Sequence, residues 1–420
     1  MLLALIFFVL LFAGIPVAFV LFLSTAAYVV LTDNVLLFLS FSQQIFSSLE
    51  KYGLLAIPLF LVVGELMEAG GCTRRLINAA SVFVGTLRGG LAYINLLANM
   101  MMASIMGSAN AQIAIMSRSM VPAMTERGYD PAMAAATTAA GGLMSPIIPP
   151  SMIFIIYAVL AQVAVGDMFI AGILPGLIMA LGFVAAVSVL GLIYELPRLE
   201  AKDKAEKLHS LAQGLPAMSI PLIIVASILL GIATPTESAA IAAVAAYVIG
   251  RFINKELKNK DLWKACLQAG TNTAVVLFLV AMASLFGWVL LFEQIPQQVS
   301  GWIVGVTSDP FYFMLLVNLV LLLVGAVIDG IPAMIMIVPI LLPIAQKVYD
   351  IDPYHFGVVI SINLVLGLLT PPVGTGLYIA SQVANIRPGR VFVAIIPFFL
   401  VVLLLLVLLS WQPVLVTFFL

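Results

Sequence analysis

The chain contains very few charged residues. Only 9% of its 420 residues are Asp, Glu, Lys or Arg, whereas 63% are hydrophobic and the mean hydropathy is +1.21. Soluble domains of ordinary composition carry about 25% charged residues, so a soluble enzyme or binding module is excluded. At roughly 20 apolar residues for each crossing, the chain can supply about ten membrane spans. The formal net charge of -1 argues against a nucleic acid partner.

Histidine, cysteine and enzyme motifs are equally scarce. The only histidines, His209 and His355, fall at predicted loops or span ends and are expected to lie on the surface. The only cysteines, Cys72 and Cys266, are too few for a disulfide framework and are expected to be inert packing residues. No basic residue precedes the first span, so residues 1–32 are expected to be mature membrane helix. HExxH, Walker A and GxSxG sequences are absent, which predicts neither an enzyme nor nucleotide-driven transport.

Two long apolar segments are interrupted at matching places about 220 residues apart. The first break, residues 142–151, reads GLMSPIIPPS, and the second, residues 367–376, reads GLLTPPVGTG. A membrane helix broken at corresponding places in two halves is the best sequence indication of a transporter's binding site. The freed backbone groups are tolerated at that depth only where they line a cavity or hold an ion.

The order of segments is the same in the two halves. The corresponding segments are a proline-interrupted helix pair (2–32; 216–250), a short polar or amphipathic stretch (34–51; 251–265), one span (53–72; 267–292), an apolar segment with a polar break (92–125; 311–346), the broken helix and a last span (168–193; 391–411). Residues 251–265 suit an interfacial helix or a plain loop equally well. The sequence therefore predicts two repeats, residues 1–193 and 215–420, joined by a solvated cytoplasmic linker, residues 194–214.

The segments 92–125 and 311–346 could be single long helices or re-entrant hairpins. Each has about 15 residues on either side of its break, too few to cross a membrane but enough to reach its middle and return. If both are hairpins, every basic residue except Lys51, Lys347 and Arg118 falls on one side, which positive-inside bias makes the cytoplasm. The two halves then have opposite orientations. We predict an all-α polytopic membrane protein with two inverted-topology repeats, each with about five spans, one hairpin and one broken helix.

Polar residues occupy both predicted hairpin tips. Asp329 is a lone carboxylate at the second tip, where a charge costs roughly 2.5–3.5 kcal/mol on insertion scales unless it is paired, hydrated or functional. It could ligate a cation or gate the passage, and it could also cap the helix that follows. Ser108 and Asn110 lie at the first tip, where small polar residues serve equally well as ligands, caps or packing contacts.

Each break offers oxygen ligands of the kind that a sodium ion requires. Ser145 and Thr370 lie at matching positions three residues after Gly142 and Gly367, and unwound turns there free backbone carbonyls. We predict one cation site in each half, formed by a hairpin tip and the break that faces it. The residues assigned to the two sodium sites are Ser108, Gly142, Ser145 and Pro146 in the first and Asp329, Gly367, Thr370 and Val373 in the second.

A carboxylate would suit the space between the two tips. Several helix N-termini are predicted to point there, and their positive dipole ends attract anions. The residues assigned to the substrate are Asn110, Ser151 and Thr375. Simple proline-kinked helices are the alternative, but they leave the two matching breaks and the two hairpins unexplained.

Other intramembrane acids are given structural roles. Residues 234–237, with the sequence TPTE, form a predicted capping box for the helix that follows. Glu65 and Glu68 are expected to pair at the membrane interface with Arg74 and Arg75.

Several runs of the sequence resemble the large membrane subunit of the tripartite ATP-independent periplasmic (TRAP) transporters. The runs are LRGGLA at 87–92, MGSA at 106–109, IPPS at 148–151, LPG at 174–176 and GIATPTESAA at 231–240. The similarity extends from residue 2 to about residue 411, and the last run is specific in combination with IPPS. The run Asn110-Ala111-Gln112 departs from the family, in which smaller residues are expected after the Gly-Ser pair.

The resemblance implies sodium-coupled carboxylate transport by an elevator motion. A transport domain, residues 92–165 and 311–385, would move through a scaffold made of the remaining spans. The resemblance also implies a small four-span membrane subunit, a separate chain here, and a periplasmic binding protein that delivers an organic acid. It implies no cofactor other than Na⁺ as coupling ion.

We therefore expect a multi-pass permease subunit of the bacterial inner membrane, surrounded by lipid, that imports an organic acid anion with sodium. The alternative is a stand-alone ion-coupled carboxylate transporter of the same superfamily that needs no binding protein. An intramembrane enzyme would require a paired acid, a metal cluster or a nucleophile–base couple at depth, and the sequence offers none. A passive channel would have little use for two opposed hairpins.

Overall fold

The computed structural model describes residues 2–84, 87–198 and 203–420, and their regular structure is helical. The helices of the first half are α1 Leu2–Phe12, α2 Val17–Leu31, α3 Phe38–Leu49, α4 Ala56–Ala69, α5 Cys72–Val84, α6 Gly90–Met106, α7 Ala109–Thr125, α8 Pro131–Gly142, α9 Met152–Ala161 and α10 Val165–Ile193. Those of the second half are α11 Lys204–Leu229, α12 Pro235–Val248, α13 Asn259–Phe292, α14 Ile295–Val304, α15 Pro310–Gly325, α16 Gly330–Tyr349, α17 Pro353–Gly367, α18 Thr375–Ala384, α19 Pro388–Trp411 and α20 Val414–Thr417.

The predicted all-helical polytopic membrane fold is confirmed. Within the described ranges, seven helical segments are long and apolar enough to cross a membrane: Tyr52–Ala69, Val165–Ile193, Ala205–Leu229, Pro235–Ile253, Asn259–Phe292, Gly330–Tyr349 and Pro388–Trp411. Shorter apolar helices accompany them, and two of these, Met152–Ala161 and Pro353–Gly367, border the two breaks. The inverted relation of the two halves stays a prediction.

The segment 92–125 folds back on itself. Gln112 Nε2 donates to the carbonyl oxygen of Asn99 at 2.8 Å, although thirteen residues of straight helix would separate them by about 20 Å. Nearer the open end, Asn95 Nδ2 lies 3.4 Å from Met124 Sδ. The turn falls at Gly107, whose φ of 58° suits a residue without a side chain. α6 and α7 are therefore antiparallel arms, as expected for a hairpin.

The segment 311–346 forms a second pair of antiparallel arms, α15 and α16. The rings of Phe313 and Tyr349 stack with centroids 4.3 Å apart at the open end. Tyr349 Oη also donates to the carbonyl oxygen of Thr307 at 2.7 Å. These contacts exclude a single long helix, and the entry of both hairpins into a membrane from opposite sides stays a prediction.

Both broken helices form where the sequence places them. α8 and α17 each begin with an Asp-Pro pair, in which Asp130 and Asp352 accept hydrogen bonds from first-turn amides. Residues 143–151 and 368–374 are not α-helical, and each break contains a cis Pro-Pro bond. α9 and α18 then resume the helical path.

Two short helices and one helix start differ from the expectation. α5 and α14, which lie between the first spans and the hairpins, have no counterpart in the predicted segment order. Of residues 251–265, the last seven begin α13, so this stretch is neither a separate interfacial helix nor wholly a loop. In the predicted linker, residues 204–214 already belong to α11, and Glu200 and Lys202 lie outside the described residues.

Ring and backbone contacts join helices of the two halves. α1 and α2 contact α13 through the Phe7–Phe286 and Phe19–Phe278 rings, and α4 crosses close to Gly250 at Gly70. Phe183 on α10 meets Phe398 on α19 with centroids 5.7 Å apart. α10 and α19, predicted to belong to the scaffold, contact the broken helices, and α13 contacts the hairpin arm α16. The division into a transport domain and a scaffold stays a prediction.

Two expectations about polar residues are wrong. His355 is only 2% exposed, and its Nε2 donates to the carbonyl oxygen of Leu409 at 2.8 Å. Arg74 and Arg75 do not pair with Glu65 and Glu68, because both guanidinium groups bind the carboxylate of Glu256 at 2.9 Å.

Two other expectations are confirmed. Thr234 and Glu237 form the predicted capping box at the start of α12. Cys72 is fully buried, and burial raises the pKa of its thiol to about 11, which keeps it unreactive. Cys266 is exposed, so the expectation that it is also a packing residue is wrong.

Candidate functional site

The first hairpin tip lies against the first break. A Cβ atom built at Gly107 would lie 3.5 Å from the backbone nitrogen of Met152. One turn further along α7, Ile113 lies so close to Gly142 that a Cβ there would be 2.3 Å from Ile113 Cγ1. Three of the residues assigned to the first sodium site, Ser108, Gly142 and Ser145, therefore belong to one tip and the break that faces it.

Ser145 is the least satisfied residue of this break. It is fully buried, yet its Oγ has no hydrogen-bond partner. The carbonyl oxygen of Pro146, also assigned to this site, accepts a hydrogen bond from the Ser151 hydroxyl. A buried hydroxyl without a partner costs about 1–3 kcal/mol, so an occupant that supplies one would be favoured.

The second hairpin tip is joined to the second break by backbone contacts. The amide of Val373 donates to the carbonyl oxygen of Ala326 at 3.1 Å. A Cβ atom at Gly367 would lie 2.5 Å from the carbonyl carbon of Gly325, so neither residue has room for a side chain. The tip and the break therefore touch through the main chain itself.

Asp329 and Thr370 complete the residues assigned to the second site. Asp329 is the N-cap residue of α16, and its Oδ1 accepts from the amide of Gly330 at 2.7 Å. The Thr370 hydroxyl donates to the carbonyl oxygen of Leu366 at 3.0 Å, which leaves its lone pairs available. The capping role of Asp329 is thus observed, and its role as a cation ligand stays a prediction.

The two halves meet at Asn110 and Thr375. Thr375 Oγ1 donates to Asn110 Oδ1 at 3.1 Å, although 265 residues separate them in sequence. Both residues lie in the first turn of a helix, α7 for Asn110 and α18 for Thr375, so two positive dipole ends converge here. Two of the helix N-termini predicted to lie near the substrate therefore meet, and the binding of an anion there stays a prediction.

Ser151 is placed differently from the other two residues assigned to the substrate. It is fully buried as the N-cap of α9, and its Oγ accepts from the amide of Phe154 at 3.2 Å. The same hydroxyl donates to Pro146. Its hydrogen-bonding capacity is therefore engaged within the fold, and a contact with substrate stays a prediction.

Sequence reasoning missed a group of buried amides beside the first site. Asn95, Asn99 and Gln112 are all fully buried inside the first hairpin. The spacing of Asn95 and Asn99, one helical turn apart in an otherwise apolar segment, was a signal that could have found them. Within the described ranges, no group of three or more His, Cys, Asp or Glu residues could hold a metal ion.

Two solved transporters share this architecture. The YdaH transporter of Alcanivorax borkumensis matches with a TM-score of 0.69 at 17% identity, over 96% of this chain and 97% of that one. MtrF of Neisseria gonorrhoeae matches with a TM-score of 0.59 at 12% identity, over 91% of this chain and 85% of that one. The chain therefore shares its overall fold with both proteins.

The family follows from the sequence. The chain belongs to the DctM component family of the tripartite ATP-independent periplasmic transporters, whose sequence model matches residues 4–415. The chain is therefore a multi-pass TRAP permease component, and the resemblance found in the sequence is confirmed.

Relatives of this chain carry different substrates in their names. The isethionate TRAP transporter permease protein DctMQ of Oleidesulfovibrio alaskensis is 35% identical over 97% of this chain, which spans 64% of that relative's length. The C4-dicarboxylate TRAP transporter large permease protein DctM of Pseudomonas aeruginosa is 35% identical over 89% of this chain and 87% of its own. The sialic acid TRAP transporter permease protein SiaT of Haemophilus influenzae is 32% identical over 99% of this chain and 67% of its own length.

Proposed function

We propose that this chain is the large permease subunit of a sodium-coupled TRAP transporter that imports an organic acid anion across a bacterial inner membrane. The observation that carries the proposal is the convergence of the α7 and α18 N-termini at the Asn110–Thr375 hydrogen bond. Helix N-termini favour anions, so their convergence suits the binding of an anion that is to be transported. The relatives carry isethionate, C4-dicarboxylate and sialic acid in their names, and all three are organic acids.

Sodium is the proposed coupling ion because the breaks provide oxygen ligands without a cluster of charge. The buried, unpartnered Oγ of Ser145 fits such an ion, as do the carbonyls of the unwound turns. Ser108, Gly142 and Pro146 would complete the first site. The residues proposed for the second are Asp329, Gly367, Thr370 and Val373.

An elevator motion is the proposed mechanism. The hairpins, the broken helices and, by their contacts, α10 and α19 would move together against α1–α5 and α11–α13. His355 on α17 bonds to α19 at Leu409, and Asn318 Nδ2 on α15 donates to Ser410 Oγ on α19 at 2.9 Å. These bonds between buried or half-buried groups would tie α19 to the moving group.

The proposed partners are a small membrane subunit and a periplasmic binding protein. The family's own description, a tripartite periplasmic transporter, supports both. The binding protein would select the substrate and deliver it, and the permease would then move it with sodium.

The test of this function is uptake of labelled organic acids by proteoliposomes that contain the chain and its small subunit. Uptake is expected to require an inward sodium gradient and the binding protein together. Uptake by the chain alone would instead assign it to the stand-alone carriers. Flux that ignores the sodium gradient would contradict the proposed coupling.

Replacing Ser145 by alanine is expected to lower the apparent sodium affinity about tenfold, as loss of one ligand worth about 1.4 kcal/mol would do. Without sodium, the variant should be as stable as the parent or more stable, because it removes an unsatisfied buried hydroxyl. The measurements are sodium-dependent uptake and thermal unfolding. Ser361→Ala is the matched control, since Ser361 is equally buried but its hydroxyl donates to Gly357 at 2.7 Å. An unchanged sodium curve in both Ser145→Ala and Thr370→Ala would overturn the assignment.

A further inference from the structure

The buried amides of the first hairpin form a continuous hydrogen-bonded chain. Gln112 Nε2 donates to the carbonyl oxygen and the Oδ1 of Asn99 at 2.8 and 2.9 Å. Asn99 Nδ2 donates in the same way to the carbonyl oxygen and the Oδ1 of Asn95 at 2.9 and 2.8 Å. Asn95 Nδ2 then donates to Thr138 Oγ1 on α8 at 2.7 Å. The chain thus links both arms of the hairpin to the first broken helix.

The direction of this chain is fixed by the main chain. The carbonyl oxygens of Asn95 and Asn99 can only accept hydrogen bonds, so the amide groups that face them must present nitrogen. Rotating the Gln112 amide would place its oxygen against the Asn99 carbonyl oxygen, two acceptors in contact. Gln112 Oε1 is therefore committed to the opposite direction, where it is fully buried and has no hydrogen-bond partner.

Gln112 lies beside the end of α8 where the first break begins. The backbone N–H of Gln112 donates to the carbonyl oxygen of Ser108 at 3.0 Å. The adjacent Ile113 contacts Gly142, and a Cβ at Gly141 would lie 2.7 Å from the side chain of Asn99. Ser145, with the other unpartnered oxygen, follows Gly142 by one turn. Two buried oxygens that lack donors thus flank the same helix end.

We propose that Gln112 Oε1 is a further oxygen ligand of the cation at the first hairpin, and that Asn99 and Asn95 hold it in that orientation. The proposal rests on the sodium coupling proposed above and adds residues that the sequence analysis did not assign to the site. A carboxamide oxygen is a hard, uncharged ligand, which suits a monovalent cation in an apolar surrounding.

The second half contains a comparable arrangement built from different residues. Asn363 Nδ2 donates to the carbonyl oxygen and the Oδ1 of Asn318, both at 2.9 Å. Asn363 Oδ1 is left buried without a partner, four residues before Gly367. Among the described residues, five buried side-chain polar atoms lack a partner, and three of them belong to Gln112, Ser145 and Asn363. The unsatisfied oxygens therefore concentrate beside the two breaks.

The test is sodium-dependent thermal stabilisation of the purified permease complex, without substrate, at constant ionic strength maintained with choline chloride. Gln112→Met keeps the size of the side chain and removes the oxygen. We expect Gln112→Met to weaken the apparent sodium affinity about tenfold. Gln382→Met, the same change at an exposed glutamine of α18, should have no effect.

Each outcome is decisive. A parent protein that sodium does not stabilise would overturn the sodium coupling itself, and this proposal with it. A stabilised parent together with an unchanged sodium curve in Gln112→Met would overturn this proposal alone, and would mean that a water molecule satisfies Oε1. If Gln112→Met does not fold, Gln112→Asn can replace it as the test. Its side chain is one methylene shorter, so the carboxamide oxygen lies farther from the proposed cation and the sodium affinity should weaken in the same way.

Discussion

Replacing Gly367 by valine is expected to abolish transport. The Cβ alone would lie 2.5 Å from the carbonyl carbon of Gly325 and 2.6 Å from its Cα and oxygen. These are backbone atoms at the end of α15, the first arm of the second hairpin, so no side chain can rotate out of the way. Extra atoms in a well-packed interior lower the free energy of unfolding by about 1–3 kcal/mol. Because the main chain cannot move aside, the loss here should be at or above the upper end of that range. The hairpin tip would have to separate from its break.

The measurements are uptake by proteoliposomes and thermal unfolding of the purified protein. Gly270→Val is the matched control, because Gly270 is also helical and a Cβ there would have nothing within 4 Å. It should leave uptake close to that of the parent. Gly367→Ala carries only the Cβ and should retain more folded protein with strongly reduced sodium-dependent uptake. Full activity in Gly367→Ala would mean that the close approach at Gly325 is not required.

The breaks and hairpins could be predicted because their signals are local. Glycine, proline and hydroxyl residues inside an apolar run are costly in a membrane, so they mark where the helix must open. The Asp-Pro pairs at 130–131 and 352–353 likewise announce the starts of α8 and α17 through backbone geometry alone. The fold-back of each hairpin then followed from the distribution of basic residues along the chain.

Partners that lie far apart in sequence could not be predicted in this way. Arg74 and Arg75 have carboxylates within ten residues, yet they bind Glu256 because α4 and the end of α12 cross at Gly70 and Gly250. His355 is buried by packing against α19, where a carbonyl oxygen 54 residues away accepts a hydrogen bond from its ring. The error for the arginines came from assigning the nearest carboxylates along the chain as their partners. The error for His355 came from treating the end of a predicted span as surface, whereas tertiary packing buries it.

The candidate site could be predicted from the sequence only in part. The sequence placed Asn110 and Thr375 near one anion, and the structure joins them by a hydrogen bond. It could not reveal that Ser151 is engaged as a helix cap, because a serine before a helix suits either role. The amide chain of Asn95, Asn99 and Gln112 required the hairpin arms to be in register, which no single segment encodes.

Removing the polar groups of Asn110 and Thr375 is expected to raise the KM for the organic acid about 10- to 100-fold, because hydrogen bonds to a charged group contribute about 1.5–3 kcal/mol. In the isolated chain the two side chains satisfy each other at 3.1 Å, an arrangement that an anion can replace by accepting from the Thr375 hydroxyl and the Asn110 amide. Asn110→Leu and Thr375→Val each remove one donor. The measurement is the concentration dependence of uptake at saturating sodium.

A purely structural bond between these residues would give a different pattern. It would lower the unfolding temperature of both variants and leave the KM of the folded fraction unchanged, and that result would contradict the substrate assignment. Thr375→Ser keeps the hydroxyl and should restore the parent KM, whereas Thr271→Val removes a hydroxyl from an exposed position on α13 and should change nothing. If the double variant raises KM no further than the stronger single variant, the two donors act on one group of the substrate. Because the dipoles of α7 and α18 converge on that point from opposite halves of the chain, that group would be the acid itself.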